Sequence, residues 1–235
     1  MKLFLVNLGL FVFPSLHAQT LSMSQGDKFF GLTTYLEDEY SQTDIFLKID
    51  NQEFIYGMQL SDFLENDDLG DFRTWIFQGF VGASKYEYVQ PKVFVGLGTC
   101  KGDAMLEGVK FESGSCIAMN LGIEAKIGQL DYEKGYTLYL EGGANYANSD
   151  VTFDLSSSQN SNTGRLDISV YNTSVYAKLA GTYDLLDGFS LLGGLKYAYD
   201  TSRSHDIELN FEKQPRGKLN VEERLMLGMG AIVQF

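Results

Sequence analysis

One periodicity limits what this chain can become: from residue 116 to its last residue, oily and polar side chains alternate in segment after segment. In CIAMNLGIEAKIG, Ile117, Met119, Leu121, Ile123, Ala125 and Ile127 fall on one side, with Asn120, Gly122, Glu124 and Lys126 among those opposite. YTLYLEGGANYAN sets Tyr136, Leu138, Leu140, Ala144 and Tyr146 against Thr137, Tyr139, Glu141, Gly143 and Asn145. YNTSVYAKLAGTY and FSLLGGLKYAYD repeat the scheme, with Lys178 and Lys196 on their polar sides. RLMLGMGAIVQF closes the chain with Leu225, Leu227, Met229, Ala231, Val233 and Phe235 in one phase. A period of two over this length specifies long β-strands with one apolar face. Past the first residues no eighteen-residue apolar window exists, so no helix of this chain crosses a bilayer.

Alternation leaves open which face points inward. A soluble, secreted, lipocalin-like barrel would alternate too, with its oily face inside. Three features favour the opposite orientation. The apolar faces are bounded by aromatics, Tyr136 to Tyr146 and Tyr171 to Tyr183. At about 3.3 Å per residue and a tilt near 45°, these spans cover roughly 23 to 28 Å, the height of a membrane barrel's apolar band. The polar faces carry Glu124, Lys126, Glu141, Lys178, Lys196 and Arg224 among glycines, which suits a crowded polar lumen. The connections also alternate in length. DLLDG and GQLDYEKG are short, whereas DLSSSQNSNTG, TSRSHDIELNFEKQPRG and the segment between the two cysteines are long and polar. Short turns on one side and long loops on the other mark an outer-membrane barrel. The expected fold is therefore all-β, a transmembrane antiparallel up-and-down barrel with its apolar face toward lipid.

The first residues agree with export. MKLFLVNLGLFVFPSLHAQT has Lys2, an apolar run from Leu3 to Phe13, Pro14 and a small residue at Ala18. That is the layout of a signal peptide over 1–18, leaving a single domain over 19–235. Loss of Lys2 changes the formal charge from −13 to −14, 17 basic against 31 acidic residues. Such an acidic chain is no partner for nucleic acid. Cys100 and Cys116 are the only cysteines, and an even pair in an exported chain predicts a disulfide. Closing their 15-residue interval would stabilise by about 3 kcal/mol in the chain-entropy model. The alternative is two free thiols.

A closing strand with apolar residues at every second position and an aromatic C-terminal residue resembles the assembly signal of bacterial outer-membrane β-barrels. Phe235, Val233, Ala231, Met229 and Leu227 carry the resemblance. With the strand pattern of 27–235, it relates the chain to the small OmpA, OmpX and opacity-type barrel proteins of the porin-like superfamily. The resemblance implies an outer-membrane location and recognition by the barrel-assembly machinery. It also implies contact with membrane lipid and lipopolysaccharide, and loops serving envelope integrity, adhesion or host-surface contact. Both termini then lie on the periplasmic side and the strand number is even. Strands are expected near 218–235, 188–208, 165–183, 135–153, 116–127, 92–100 and 72–88. Three more are expected from FFGLTTYL, DIFLKID and EFIYGMQL, with turns at 50–52 and 89–91. Ten strands result, or eight if the first hairpin is irregular.

Small barrels of this class include enzymes, among them lipid A deacylases, a phospholipase and the omptin proteases. Beyond the leader, His205 is the one histidine; Ser204 and Asp206 flank it and point to the opposite strand face. Ser169 and Asp167 remain as partners from another strand, so a His205 hydrolase is the third reading. The first is a scaffold whose lumen is filled by Glu124, Glu141, Lys178, Lys196 and Arg224. The second is a narrow porin-like channel. No cofactor or metal is expected. The acidic groups Glu37, Asp38, Glu39 and Glu65, Asp67, Asp68, Asp71 lack EF-hand spacing and read as a solvated loop rim, with cation bridging to lipopolysaccharide as the alternative. Lys213, Arg216 and Lys218 read as a loop group, either solvated or facing lipopolysaccharide phosphates.

Overall fold

The computed structural model describes residues 26–37, 40–51, 53–67, 70–84, 89–106, 109–132, 135–156, 163–209, 212–213 and 217–235. The leader expected over 1–18 lies outside them, as do Asp38, Glu39, Asp68 and Arg216. The described strands are β1 (Asp27–Leu36), β2 (Tyr40–Asp50), β3 (Phe54–Asp67), β4 (Gly70–Ala83), β5 (Val89–Leu106) and β6 (Val109–Tyr132). They continue with β7 (Tyr136–Ser156), β8 (Thr163–Leu186), β9 (Phe189–Leu209), the two-residue β10 (Glu212–Lys213) and β11 (Gly217–Lys218), and β12 (Glu223–Gln234).

Each strand from β1 to β9 pairs antiparallel with the next, and β12 pairs with both β9 and β1. Ten strands thus close an up-and-down barrel, and closure removes the unpaired edges an open sheet would expose. The short β10 and β11 lie against β9. At the seam, the Phe235 N–H donates to the Lys28 carbonyl at 3.0 Å, so the two described ends share one rim.

Alternation sorts the side chains as a pleated strand must. Ile117 is 69% exposed on the outer surface while its neighbour Ala118 is 1% exposed. Leu121, Leu140, Leu179, Leu195 and Leu227 are likewise exposed on the outside. So continuous an apolar outer belt demands an apolar phase around it. At the rim that carries the termini, the Tyr136 and Tyr183 rings stack at 4.5 Å between centroids. Turns at this rim are tight: Asn51 accepts the N–H groups of Glu53 (3.2 Å) and Phe54 (2.7 Å), and Gly188 adopts φ 76° in the two-residue β8–β9 turn.

The far end departs from expectation. The stretch between the cysteines is not a loop, because β5 runs to Leu106 and β6 starts at Val109. DLSSSQNSNTG and TSRSHDIELNFEKQPRG are also shorter as connections, since β7 reaches Ser156, β8 begins at Thr163 and β9 reaches Leu209. Glu65, Asp67 and Asp71 stand in β3 and β4 rather than in an exposed loop. Residues 89–91 are no turn either. They open β5, with Pro91 opposite Ala125, and proline is tolerated near the start of a strand.

The far ends of β4–β8 enclose an apolar core, with β9 packed against it. Ile76, Cys100, Cys116, Ala118, Val151, Phe153, Leu166 and Ile168 are buried together, with Phe63, Phe72, Phe111, Val170 and Ile207 packed against them. On β7 the apolar phase switches from even positions (Tyr136 to Tyr146) to odd ones (Val151, Phe153) with no bulge recorded in its pairing to β8. The switch marks where the strand leaves lipid, because the outer face then meets water and the inner face meets other side chains. On β9 the register shift opposite Thr173/Ser174 flips the parity, which turns Arg203 and Ile207 inward.

Candidate functional site

The barrel interior holds a cavity of about 710 Å³ whose lining mixes polar and charged side chains with apolar ones such as Phe46, Phe80 and Phe94. Its residues fall into layers set by strand register. One cross-strand row reads Lys126, Glu141, Lys178, Lys196 across β6, β7, β8 and β9. The next reads Lys92, Glu124, Gly143, Tyr176 across β5 to β8. Alternation brings all eight to the inner surface. Gly143 is required there, since a Cβ on it would sit 2.8 Å from the Tyr176 hydroxyl.

Within this central layer, Lys178 Nζ binds Glu141 Oε2 at 2.7 Å, and Lys92 pairs with Glu124 and lies 3.7 Å from Glu141. The Tyr176 hydroxyl donates to Glu124. Lys126 lies over the Tyr139 ring at 4.8 Å. Lys196 Nζ donates to Gln42 Oε1 at 2.8 Å, and the Gln42 amide donates to both oxygens of Asp44 at 3.0 and 2.9 Å. Both Lys178 and Lys196 also approach the Tyr35 ring, at 5.6 and 5.5 Å.

A second charged layer lies toward the far end. Glu65 accepts from Arg203 (3.0 Å) and Arg224 (2.8 Å), and Glu222 pairs with both arginines. Arg224 lies 3.6 Å from buried Asp200, whose other oxygen accepts from Asn172 at 3.0 Å, and stacks on Tyr40 at 4.9 Å. Toward the termini, Lys48 lies over Phe29 at 4.2 Å and Ser190 donates to Asp184 at 2.6 Å.

Of the charges singled out from sequence, Glu124, Glu141, Lys178 and Lys196 gather in the central layer and Arg224 in the far one. Lys92, Arg203, Asp200 and Glu222 complete the two layers and were not singled out, and Glu65, read from sequence as part of a solvated loop rim, joins the far layer instead. Parity alone would have found Lys92, the even-numbered start of an alternating strand. Glu65 was hidden by its acidic neighbours, and Arg203 by the register shift. Cys100 and Cys116 stand opposite each other on β5 and β6 with Cα atoms 4.8 Å apart, within disulfide reach. On β12, Leu227, Met229 and Val233 are exposed on the outer face with Ala231 in the same phase, and exposed Phe235 follows the strand's last residue.

His205 sits opposite Val170, with its ring against Gly217. Ser169 lies opposite Asp206, one position along and so on the other face, and Asp167 accepts from Thr152 and Arg165. Neither joins His205 as a nucleophile or an orienting carboxylate. Among the described residues no three His, Cys, Asp or Glu side chains converge as a metal site.

No family model matches the chain. No curated protein matches it either. Solved structures do. The translocator domain of the autotransporter NalP from Neisseria meningitidis superposes with a TM-score of 0.50 at 13% identity, covering 94% of both chains. A major outer-membrane protein from Thermus thermophilus is similar at a TM-score of 0.46 and 14% identity, covering 90% of this chain and all of that one (100%). Neisserial surface protein A follows at 0.39 and 13%, covering 90% and 98%. At such identities the NalP likeness shows the fold alone: this chain has the architecture of an outer-membrane β-barrel.

Proposed function

Taking that barrel architecture as the premise, we propose that the chain is a non-enzymatic scaffold of the bacterial outer membrane. Its lumen is bridged by side chains, and its far end is presented to lipopolysaccharide, envelope partners or host surfaces. The observation that carries this reading is the reach of the charged layers. They tie strands that are not neighbours: Glu65 on β3 to Arg203 on β9 and Arg224 on β12, and Gln42 on β2 to Lys196 on β9. Buried pairs cost desolvation and are strongly destabilising to break, so such a network suits a rigid, closed lumen better than a wide pore. The extended core around Phe153 supports an extracellular platform standing clear of the bilayer. Within the same reading, β12 with Leu227, Met229, Ala231, Val233 and Phe235 is the element that the assembly machinery recognises, and Cys100–Cys116 is a disulfide that braces the base of the platform.

A narrow diffusion channel is the second reading, and the 710 Å³ cavity favours it. Planar-bilayer recording of the purified protein separates the two. The scaffold gives no steady unitary current, and regular conductance steps would overturn it in favour of the channel.

A further inference from the structure

Lys178 and Lys196 are direct cross-strand partners, and both point into the lumen. Like charges directly opposite each other destabilise a sheet, and burial makes the conflict worse. Lys178 has Glu141 as a counter-charge at 2.7 Å. Lys196 has none within ion-pair distance among the described residues, because its contact is the neutral Gln42 amide. That amide is itself held by Asp44, which keeps the nearest carboxylate one side chain away. Tyr35, 2% exposed and lining the same cavity, has its ring 5.6 Å from Lys178 and 5.5 Å from Lys196, and its buried hydroxyl makes no close hydrogen bond. An ammonium carries three donors, and the described contacts use one on each lysine.

We propose that Lys178, Lys196 and the Tyr35 hydroxyl form an anion site in the barrel lumen, which takes a small oxyanion of the phosphate or carboxylate class. The anion supplies the counter-charge that Lys196 lacks, accepts the orphan hydroxyl proton and relieves the repulsion between the opposed lysines. An oxyanion fits better than a halide because three donors on separate strands, β8, β9 and β1, call for several acceptor oxygens. Lys178, Lys196 and Tyr35 all line the lumen cavity, so the ligand enters through the lumen rather than from lipid. This inference does not depend on whether the barrel conducts.

Inorganic phosphate is the first probe and acetate the second, each titrated into detergent-solubilised protein against chloride at equal ionic strength and pH. Calorimetric binding and the melting temperature are both read. The folded state is checked for every variant by its heat-modifiable gel migration. Wild type is expected to bind one phosphate or acetate per chain and to melt higher than in chloride. Lys196→Met is expected to bind at least about tenfold more weakly, and Tyr35→Phe, which keeps the ring and loses only the hydroxyl, severalfold more weakly. Lys101→Met, exposed on β5, is expected to bind as wild type does. Should Lys196→Met fail to fold, Lys196→Gln takes its place and Tyr35→Phe stands independently. No saturable binding by wild type, or equal binding by wild type and Tyr35→Phe together with the Lys196 variant, overturns the proposal.

Discussion

At the residue scale the interior is governed by desolvation. Lys178 and Glu141 have side chains 16% and 13% exposed, so neither ion has water to fall back on. Replacing Glu141 leaves Lys178 buried without a carboxylate partner, a loss of about 3 kcal/mol or more, whereas replacing both with apolar residues of similar size removes the conflict. The expected outcome is that Glu141→Leu lowers unfolding stability in detergent by that amount, that Lys178→Met costs less because Lys92 still lies 3.7 Å from Glu141, and that the double variant recovers most of the Glu141→Leu loss. Additive losses in a denaturant series would refute the pairing. The cysteines follow a different logic, since a disulfide acts mainly on the unfolded chain. Cys100→Ala/Cys116→Ala is expected to cost about 3 kcal/mol. A non-reducing digest should recover the fragments around the two residues as one linked peptide; recovery as separate free thiols would end that reading.

At the element scale the far ends of β5–β9 form a second construction on the same strands. Phe153 is 1% exposed, and its ring fills the space a Cβ on Gly114 would take. Phe153→Ala is expected to cost about 3–5 kcal/mol, the sum of lost transfer energy and a cavity. Because Phe153 lies farther toward that end than Ile117 of the outer apolar belt, which pairs with Asp150, the variant should keep the ten-strand barrel and lose protease resistance at the far end first. Limited proteolysis in liposomes checks it; a uniform loss of resistance along the chain would join the platform to the barrel as one unit. The sequence carried the signal for this platform in the phase change between Tyr146 and Val151. Reading each strand as one uniform alternation concealed it, and long polar segments with several glycines and serines looked like loops.

At the scale of the whole molecule, closure depends on the seam between β1 and β12, where Phe29 to Leu36 face Leu227 to Gln234. Phe235 adds one backbone hydrogen bond to that seam, and its ring is 67% exposed at the rim. Deleting Phe235 is therefore expected to leave detergent-folded stability within about 0.5 kcal/mol, as for an exposed surface change, while reducing insertion into the outer membrane severalfold. Membrane fractionation compared with refolded protein measures both, and unchanged insertion would remove the assembly role.

The sequence by itself determined that long strands with two distinct faces form a barrel of ten strands or eight, because alternation is a property of adjacent residues and needs no distant partner. The β1–β12 pairing settled ten. The sequence marked Glu124, Glu141, Lys178 and Lys196 for the same reason: parity assigns a side to each residue independently. Which charges meet was decided only by the tertiary structure. Register accumulates over every turn and bulge, and one extra residue on β9 is enough to bring Arg203 into the lumen beside Glu65, which precedes it by 138 residues.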